Sequence, residues 1–204
     1  SLTKEKILKL NSIENAELLI STLSESKSTI LMTAHFGNWE LGSLLVNVLL
    51  NKNFAVMFKP QRNKLVNDYI NKLREKFGNT TLSSGLGAKE IYKILLGGGI
   101  IAAVADQRGH PDGLRINFFN RSTAIFTGVF TMAVKSNAQI LFALFIRKPD
   151  GNYQLVHQVV DYDNTKNSLE ENVAIVSQKY FSLLERYVRE NPEQWFWMHK
   201  IWKY

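Results

Sequence analysis

The sequence predicts a single α/β domain in which helices flank a mixed central sheet. Apolar runs rich in Ile, Val and Phe alternate along the chain with longer segments of helical period, which is typical of α/β layering. Of the 204 residues, 45% are hydrophobic and 21% are charged, which is enough apolar material for one sizeable core. Since no internal repeat or linker divides the chain, we assign residues 1–204 to one domain.

Each element follows from local sequence signals. Short β-rich runs predict strands at 29–34, 54–58, 80–83, 100–105, 140–147 and 153–162. Helical spacing of apolar residues predicts helices at 3–22, from just after Gly37, and at 63–77, 88–96, 125–135 and 168–190. Ser168 and Glu171 form a capping-box signal at the start of the last helix. A Pro-Asp-Gly turn at 149–151 predicts a hairpin between the last two strands.

The charge balance predicts an anionic partner, because the net charge is +7 and the pI is near 9.5. Phospholipid headgroups, a phosphorylated substrate and an acidic carrier protein all fit, whereas nucleic acid is not expected because recognition-helix and RNA-binding signatures are lacking. The longest apolar runs, at 94–105 and 138–146, are shorter than the ~18 residues that span a bilayer, so no transmembrane helix is predicted. The start at Ser1 leaves open that an N-terminal membrane anchor has been trimmed off.

Several kinds of chemistry are excluded by residue types. Cysteine is absent, which excludes disulfides, thiolate nucleophiles and zinc–thiolate sites. No G-x-S-x-G elbow supplies a serine nucleophile, so a substrate hydroxyl is the expected nucleophile. His110, His157 and His199 lack metal-ligand spacing such as H-E-x-x-H, so we expect them at the surface or in supporting positions. The sequence therefore predicts no metal site.

The stretch from His35 to Glu40 is the main candidate for catalysis. His35 follows a predicted strand and precedes the flexible pair Gly37 and Asn38, so it is expected at the carboxyl end of a strand, where open α/β sheets bind ligands. Through a turn at that pair, Glu40 would fold back and accept a hydrogen bond from one ring nitrogen of His35. The other nitrogen would act as a general base. The alternative is a strand-end histidine beside a solvated acid in the first helical turn.

Four separate motifs in order resemble one known family, the bacterial lipid A late acyltransferases within the lysophospholipid acyltransferase group. These motifs are AHFGNWE at 34–40, ADQ at 105–107, FF at 118–119 and EQWFWMHK at 193–200. The family's H-x4-E dyad falls on His35 and Glu40, which implies a general base and its orienting carboxylate. The resemblance covers nearly the whole chain and implies an acyltransferase-like fold.

The resemblance also implies a set of substrate-binding residues. Its basic segment falls on KPQRN at 59–63, where many relatives have Arg before Pro and this chain has Lys59, with Arg62 nearby. An ammonium group lacks the bidentate fork of a guanidinium, so Lys59 departs from the pattern. The family's Arg before a Phe-Gly pair falls on Arg74, and its Asp-Gln pair falls on Asp106 and Gln107. Asn38 completes the expected set.

The activity implied by the resemblance is O-acyl transfer. A fatty acyl group would move from an acyl carrier protein or acyl-CoA thioester, as co-substrate and without a cofactor, to a hydroxyl of a glycolipid such as a lipid A precursor. The enzyme would associate peripherally with the cytoplasmic face of the bacterial inner membrane. The alternatives are a related acceptor, such as a lysophospholipid, a mannosylated lipid or an amino-acid lipid, and a non-catalytic lipid-binding protein of the membrane surface.

Three features of the sequence each allow two interpretations. The cations of 59–76 would form either a phosphate or carrier-protein site or the solvated face of an amphipathic helix. Asp106 would be either a functional carboxylate at a strand end or a loop cap or partner of Arg108. The aromatic and basic tail at 195–204 would either pack onto the sheet or lie at a membrane interface.

Overall fold

The computed structural model describes residues 3–24, 28–83 and 88–203. Along this part of the chain the helices are α1 (Lys4–Lys9), α2 (Ala16–Ser24), α3 (Trp39–Leu50), α4 (Lys64–Arg74), α5 (Ala88–Leu96), α6 (Gly128–Lys135) and α7 (Leu169–Glu190). The strands are β1 (Asn11–Ile13), β2 (Thr29–Thr33), β3 (Ala55–Phe58), β4 (Thr80–Ser83), β5 (Ile100–Val104), β6 (Arg115–Phe118), β7 (Arg121–Ala124), β8 (Gln139–Arg147) and β9 (Tyr153–Val159). A short 3-10 turn, Pro192–Gln194, follows α7.

Within the described residues, a seven-stranded sheet organises the molecule in the order β1-β9-β8-β2-β5-β3-β4. Its strands pair in parallel except β8 and β9, which form the antiparallel hairpin predicted from the turn at 149–151. Helices cover both faces, because each face of a central parallel strand is apolar and must be buried. The predicted α/β class with a mixed, helix-flanked sheet is confirmed.

The two faces of the sheet carry separate hydrophobic cores. The inward residues of α5, α6 and α7 pack on one face, around Phe118, Phe130 and Tyr180. Residues of α1, α2 and α3 pack on the other face, together with alternate residues of the same strands. The capping box of Ser168 and Glu171 starts α7 as predicted.

The predicted opening helix at 3–22 is wrong, because the chain breaks it into α1, β1 and α2. The side chain of Asn11 bonds back to the carbonyl of Ile7, and Asn15 adopts a positive φ of 49°. Asn tolerates this left-handed conformation, and at Asn15 it turns the chain from β1 into α2. The intervening residues then pair in parallel with β9 and extend the sheet by one edge strand.

A second hairpin, formed by β6 and β7, was not predicted. Phe119 and Asn120 form its two-residue turn, with φ values of 55° and 57°. The usual sequence signal of such turns is Asn-Gly or Asp-Gly. A Phe at a positive φ is uncommon, so Phe119 did not indicate a turn. The strand β7 ends at Ala124, directly before the predicted helix at 125–135. The helix itself, α6, begins three residues later than predicted, at Gly128.

The register between β2 and β5 positions the candidate site. Thr33 pairs with Val104, and the amide of Ala105 continues the ladder to the carbonyl of Thr33. His35 and Asp106 each lie two residues beyond the last pair. Two residues that follow adjacent parallel strands at matched positions emerge side by side at the carboxyl edge of the sheet.

Candidate active site

His35 and Asp106 form the centre of the candidate site. The Nδ1 atom of His35 lies 2.8 Å from Oδ1 of Asp106, and the backbone amide of His35 donates to Oδ2 over 2.9 Å. The indole Nε1 of Trp195 donates to the same Oδ2 over 3.0 Å. Asp106 is only 1% exposed, so these three donors compensate for removing a carboxylate from water.

The pairing fixes the tautomer of His35. A carboxylate only accepts hydrogen bonds, so Nδ1 carries the proton and Nε2 retains its lone pair. The ring contacts Trp39 edge-on at 5.1 Å between centroids and also contacts Phe196. His35 lines an open cleft, and Nε2 is the ring nitrogen left to act as a base there.

Glu40 is not the partner of His35, which corrects the expectation from the sequence. Nε of Arg74 donates to Oε2 of Glu40 over 2.8 Å, and Nη2 of Arg74 bonds the other carboxylate oxygen. The reason is that α3 begins at Trp39, so Glu40 already lies in its first turn and points toward the C-terminal end of α4. Asp106 occupies the orienting position that the sequence assigned to Glu40.

A tight turn connects His35 to α3. Gly37 has a φ of +55°, and a Cβ atom there would lie 1.7 Å from the carbonyl oxygen of Phe145. Its amide donates to the carbonyl of Gln194, so the turn is fixed on two sides. Asn38 was expected to bind substrate, but its side-chain oxygen accepts the amide of Leu41 and caps α3. Asn38 is not part of the cleft wall.

The cleft brings together most of the remaining predicted residues. It has a volume of about 580 Å³, and its wall includes Lys59, Arg74 and Gln107 beside His35. Arg62 is exposed and lies outside the wall. The guanidinium of Arg74 also lies 5.6 Å from the centroid of the Phe58 ring.

His199 is a cleft residue that sequence reasoning missed. Its Nε2 accepts the backbone amide of Arg108 over 2.9 Å, and its ring lies 6.4 Å from that of His35. Since an amide can only donate, Nε2 is unprotonated and Nδ1 carries the proton of the neutral ring. Burial is the main cause that lowers the pKa of His199; the charge of Asp106 opposes this shift, and the charge of Arg108 adds to it. The only sequence signal was its place four residues after Trp195.

An apolar cavity continues from the cleft between the sheet and α3. It has a volume of about 50 Å³ and shares Trp39, Met57, Arg74, Ala103 and Val104 with the cleft wall. The small residues Gly42, Ala102 and Ala143 are also part of its wall. The Glu40–Arg74 pair lies where the two spaces meet.

The aromatic tail packs only in part against the rest of the protein. Trp195 is buried and completes the Asp106 environment, whereas Phe196, Trp197 and Met198 are exposed. No helix in the described ranges is both long and apolar enough to cross a bilayer. In the same ranges, no group of three or more acidic or imidazole side chains converges as metal ligands would.

Comparison with known proteins adds a family assignment. The sequence model of the family described as bacterial lipid A biosynthesis acyltransferase matches residues 1–204. No curated protein sequence matches the chain significantly.

We expect Gly37→Ala to lower the free energy of unfolding by more than about 3 kcal/mol, because the new Cβ overlaps the carbonyl of Phe145 at a positive φ. Gly151→Ala is the matched control, since Gly151 has a φ of +84° but no atom within 4 Å of the new Cβ. We expect the control to cost about 1–2 kcal/mol. Urea denaturation measures both, and equal losses would show that the contact at Phe145 does not restrict this turn.

His199 also makes the stability depend on pH. The pKa of His199 in the folded protein lies below the usual 6.5. Its stabilising contribution is therefore fully present above pH 6.5 and is lost as the pH falls from there through the folded pKa. We expect the urea midpoint of the wild type to fall more steeply between about pH 7.5 and about pH 5 than that of His199→Gln. His110→Gln controls for the loss of an exposed imidazole. Parallel wild-type and His199→Gln curves would contradict the assignment.

Proposed function

We propose that this chain, which belongs to the bacterial lipid A biosynthesis acyltransferase family, uses His35 as the general base that transfers a fatty acyl group to a lipid hydroxyl. The family makes the chain an acyltransferase. The observation that carries the mechanism is the contact between His35 and the buried carboxylate of Asp106 at the edge of the cleft. This arrangement is the base-and-orienter pair of hydrolytic triads without the enzyme's own nucleophile.

The reaction proceeds by direct attack of the acceptor hydroxyl on the donor. His35 Nε2 removes the hydroxyl proton while the oxygen forms a bond to the thioester carbonyl carbon. The imidazolium is stabilised by Asp106, which already accepts Nδ1–H. Collapse of the tetrahedral intermediate breaks the carbon–sulfur bond, and the imidazolium returns its proton to the departing sulfur. The products are an ester and a free thiol.

A donor is also needed for the negative charge that develops on the thioester oxygen. His199 fits this role, because it lines the same cleft as His35 and its Nε2 is held by the Arg108 amide, which leaves Nδ1–H as the donor of its ring. A fixed neutral donor stabilises an oxyanion without reorganising during the reaction. The lowered pKa of His199 favours the neutral ring at neutral pH, and the Arg108 amide selects its tautomer.

The apolar cavity beside Trp39 is suited to a short segment of the donor's acyl chain. Its wall is mostly apolar, and it shares Trp39 with the cleft that His35 lines. An acyl chain entering it would place its carbonyl carbon near His35. The small side chains of Ala102 and Ala143 leave the space that this segment would occupy.

Lys59 and the Glu40–Arg74 pair supply charge at the cleft. Lys59 is exposed at the wall and suits a phosphate of a glycolipid or of a carrier protein's prosthetic group. Glu40 holds Arg74 through two hydrogen bonds, so it positions this guanidinium rather than the base. We propose an acyl carrier protein thioester as donor and a lipid A precursor at the cytoplasmic face of the inner membrane as acceptor.

Substitutions of His35, Asp106 and Glu40 test the mechanism directly. We expect His35→Ala to lower kcat by at least about a thousandfold and Asp106→Asn by about a hundredfold or more, because an amide at 106 favours the wrong tautomer of His35. Glu40→Gln should mainly raise KM and lower kcat by no more than about tenfold, because its effect passes through Arg74. The assay follows a labelled acyl group from a carrier-protein thioester to the glycolipid.

The stability of each of these variants must be measured together with its activity, since Asp106 is buried. Thermal unfolding identifies a variant that has lost its fold rather than its chemistry. If Glu40→Gln loses as much kcat as His35→Ala while folded Asp106→Asn remains active, Glu40 is the orienting residue. Unchanged kcat in folded His35→Ala would reject the proposed base.

Filling the apolar cavity should change the choice of donor. Ala102→Leu places three additional carbons in the cavity, so we expect kcat/KM for a long-chain donor to fall at least tenfold relative to a butyryl donor. Ala133→Leu is the matched control, because Ala133 is equally buried in α6 but outside the cavity. Equal effects on both donors in Ala102→Leu would place the acyl chain elsewhere.

A further inference from the structure

The helix α4 presents its apolar side chains to water. Leu65 is 81% exposed and Tyr69 is 65% exposed, and Val66 and Leu73 are exposed as well. These four residues lie on one side of the helix, within about 100° of the helical wheel. None of the residues of α4 is buried. A helix of this kind has no core of its own to cover its apolar side.

The opposite side of α4, which faces the protein, is largely polar. Asn67, Asn71 and Arg74 are partly covered there, together with Ile70. Asn67 accepts the amide of Gln61, and Asn71 accepts a hydrogen bond from Arg74. The usual orientation of an amphipathic surface helix is therefore inverted. Since leaving large apolar groups in water is unfavourable, this side suits a partner.

Lys64 and Lys72 border one edge of the apolar side, with Asp68 between them on the helical wheel. Between residues 59 and 76 the exposed cations are Lys59, Arg62, Lys64, Lys72 and Lys76, whereas the acids are Asp68 and Glu75. Glu75 is occupied by Thr81, whose amide and hydroxyl it accepts. An apolar helix face bordered by long cationic side chains is typical of helices that lie in the interface of an anionic bilayer.

We propose that α4 docks this protein on an anionic lipid bilayer, with Leu65, Val66, Tyr69 and Leu73 inserted among the acyl chains and Lys64 and Lys72 at the lipid phosphates. These six residues are called the α4 surface below. The partner's chemistry follows from the surface, since the apolar part suits a bilayer's acyl region and the cations suit its headgroups.

The position of α4 favours a bilayer over a soluble protein as the partner. Its last residue, Arg74, lies in the cleft wall, and exposed Phe126 lies in the same wall. Exposed Phe196 contacts the ring of His35. Apolar surface therefore borders the cleft on more than one element, as a substrate entering from a bilayer requires. This step deepens the proposed function and rests on its lipid acceptor.

Vesicle binding tests the α4 surface with a matched control. The full chain is mixed with phosphatidylglycerol–phosphatidylcholine vesicles and with phosphatidylcholine vesicles, and the bound fraction is measured by sedimentation. We expect Leu65→Asn combined with Tyr69→Asn to weaken binding to the anionic vesicles about tenfold or more. The control combines Leu18→Asn with Leu96→Asn, since Leu96 is 79% exposed and Leu18 is 55% exposed, both outside α4. We expect the control to bind like the wild type.

The charges provide a second measurement on the same vesicles. Lys64→Gln with Lys72→Gln should weaken binding about fivefold per charge on the anionic vesicles and little on phosphatidylcholine. Lys93→Gln, on the exposed side of α5, is the matched control. Thermal unfolding confirms that each variant is folded.

Two outcomes would overturn the proposal. In the first, the α4 variants bind vesicles as tightly as the wild type or lose no more than their controls. In the second, they keep vesicle binding but lose binding to an acyl carrier protein, which would assign the surface to a protein. His35→Ala should bind vesicles normally. Its binding therefore separates failure of the docking surface from failure of the proposed chemistry.

Discussion

The hydrogen bond between His35 and the buried carboxylate of Asp106 is the interaction on which the rest of the site depends. It requires β2 and β5 to be neighbours in a fixed register, because each residue lies two positions beyond the last paired residue of its strand. It also requires Trp195, whose indole donates to the second carboxylate oxygen. A buried carboxylate without these donors would be strongly disfavoured, so the sheet, the turn after β2 and the segment after α7 support one another.

Local features of the molecule could be predicted from the sequence, whereas contacts between distant residues could not. The strand end at His35, the hairpin at 149–151 and the cap at Ser168 each depend on residues a few positions apart. The partner of His35 lies 71 residues away, and only the strand order makes the two adjacent. Glu40 was the acid nearest in sequence, but the start of α3 directs it to Arg74. The opening helix failed for a similar reason, because pairing with β9 outweighs helical spacing around Asn11.

The pair of Glu40 and Arg74 connects three parts of the molecule. It lies at the junction of the open cleft and the apolar cavity, and Arg74 is also the last residue of α4. A carboxylate held by two guanidinium hydrogen bonds has a defined geometry, which a lysine at position 74 would not provide. Motion of α4 at a lipid surface would therefore move Arg74 and Glu40, which lie at the junction of the cleft and the apolar cavity.

The contact from Trp195 to Asp106 has a consequence for the order in which the protein assembles during translation. Domains begin to fold as they emerge from the ribosome, N-terminal parts first. His35 and Asp106 are both translated before Trp195. The Trp195 indole, which donates to Asp106, is translated 89 residues after Asp106 and after the whole of α7. The ribosome must therefore release the segment around Trp195 before the carboxylate has all its donors. Nascent chains that stop short of that point would leave Oδ2 of Asp106 without its indole donor.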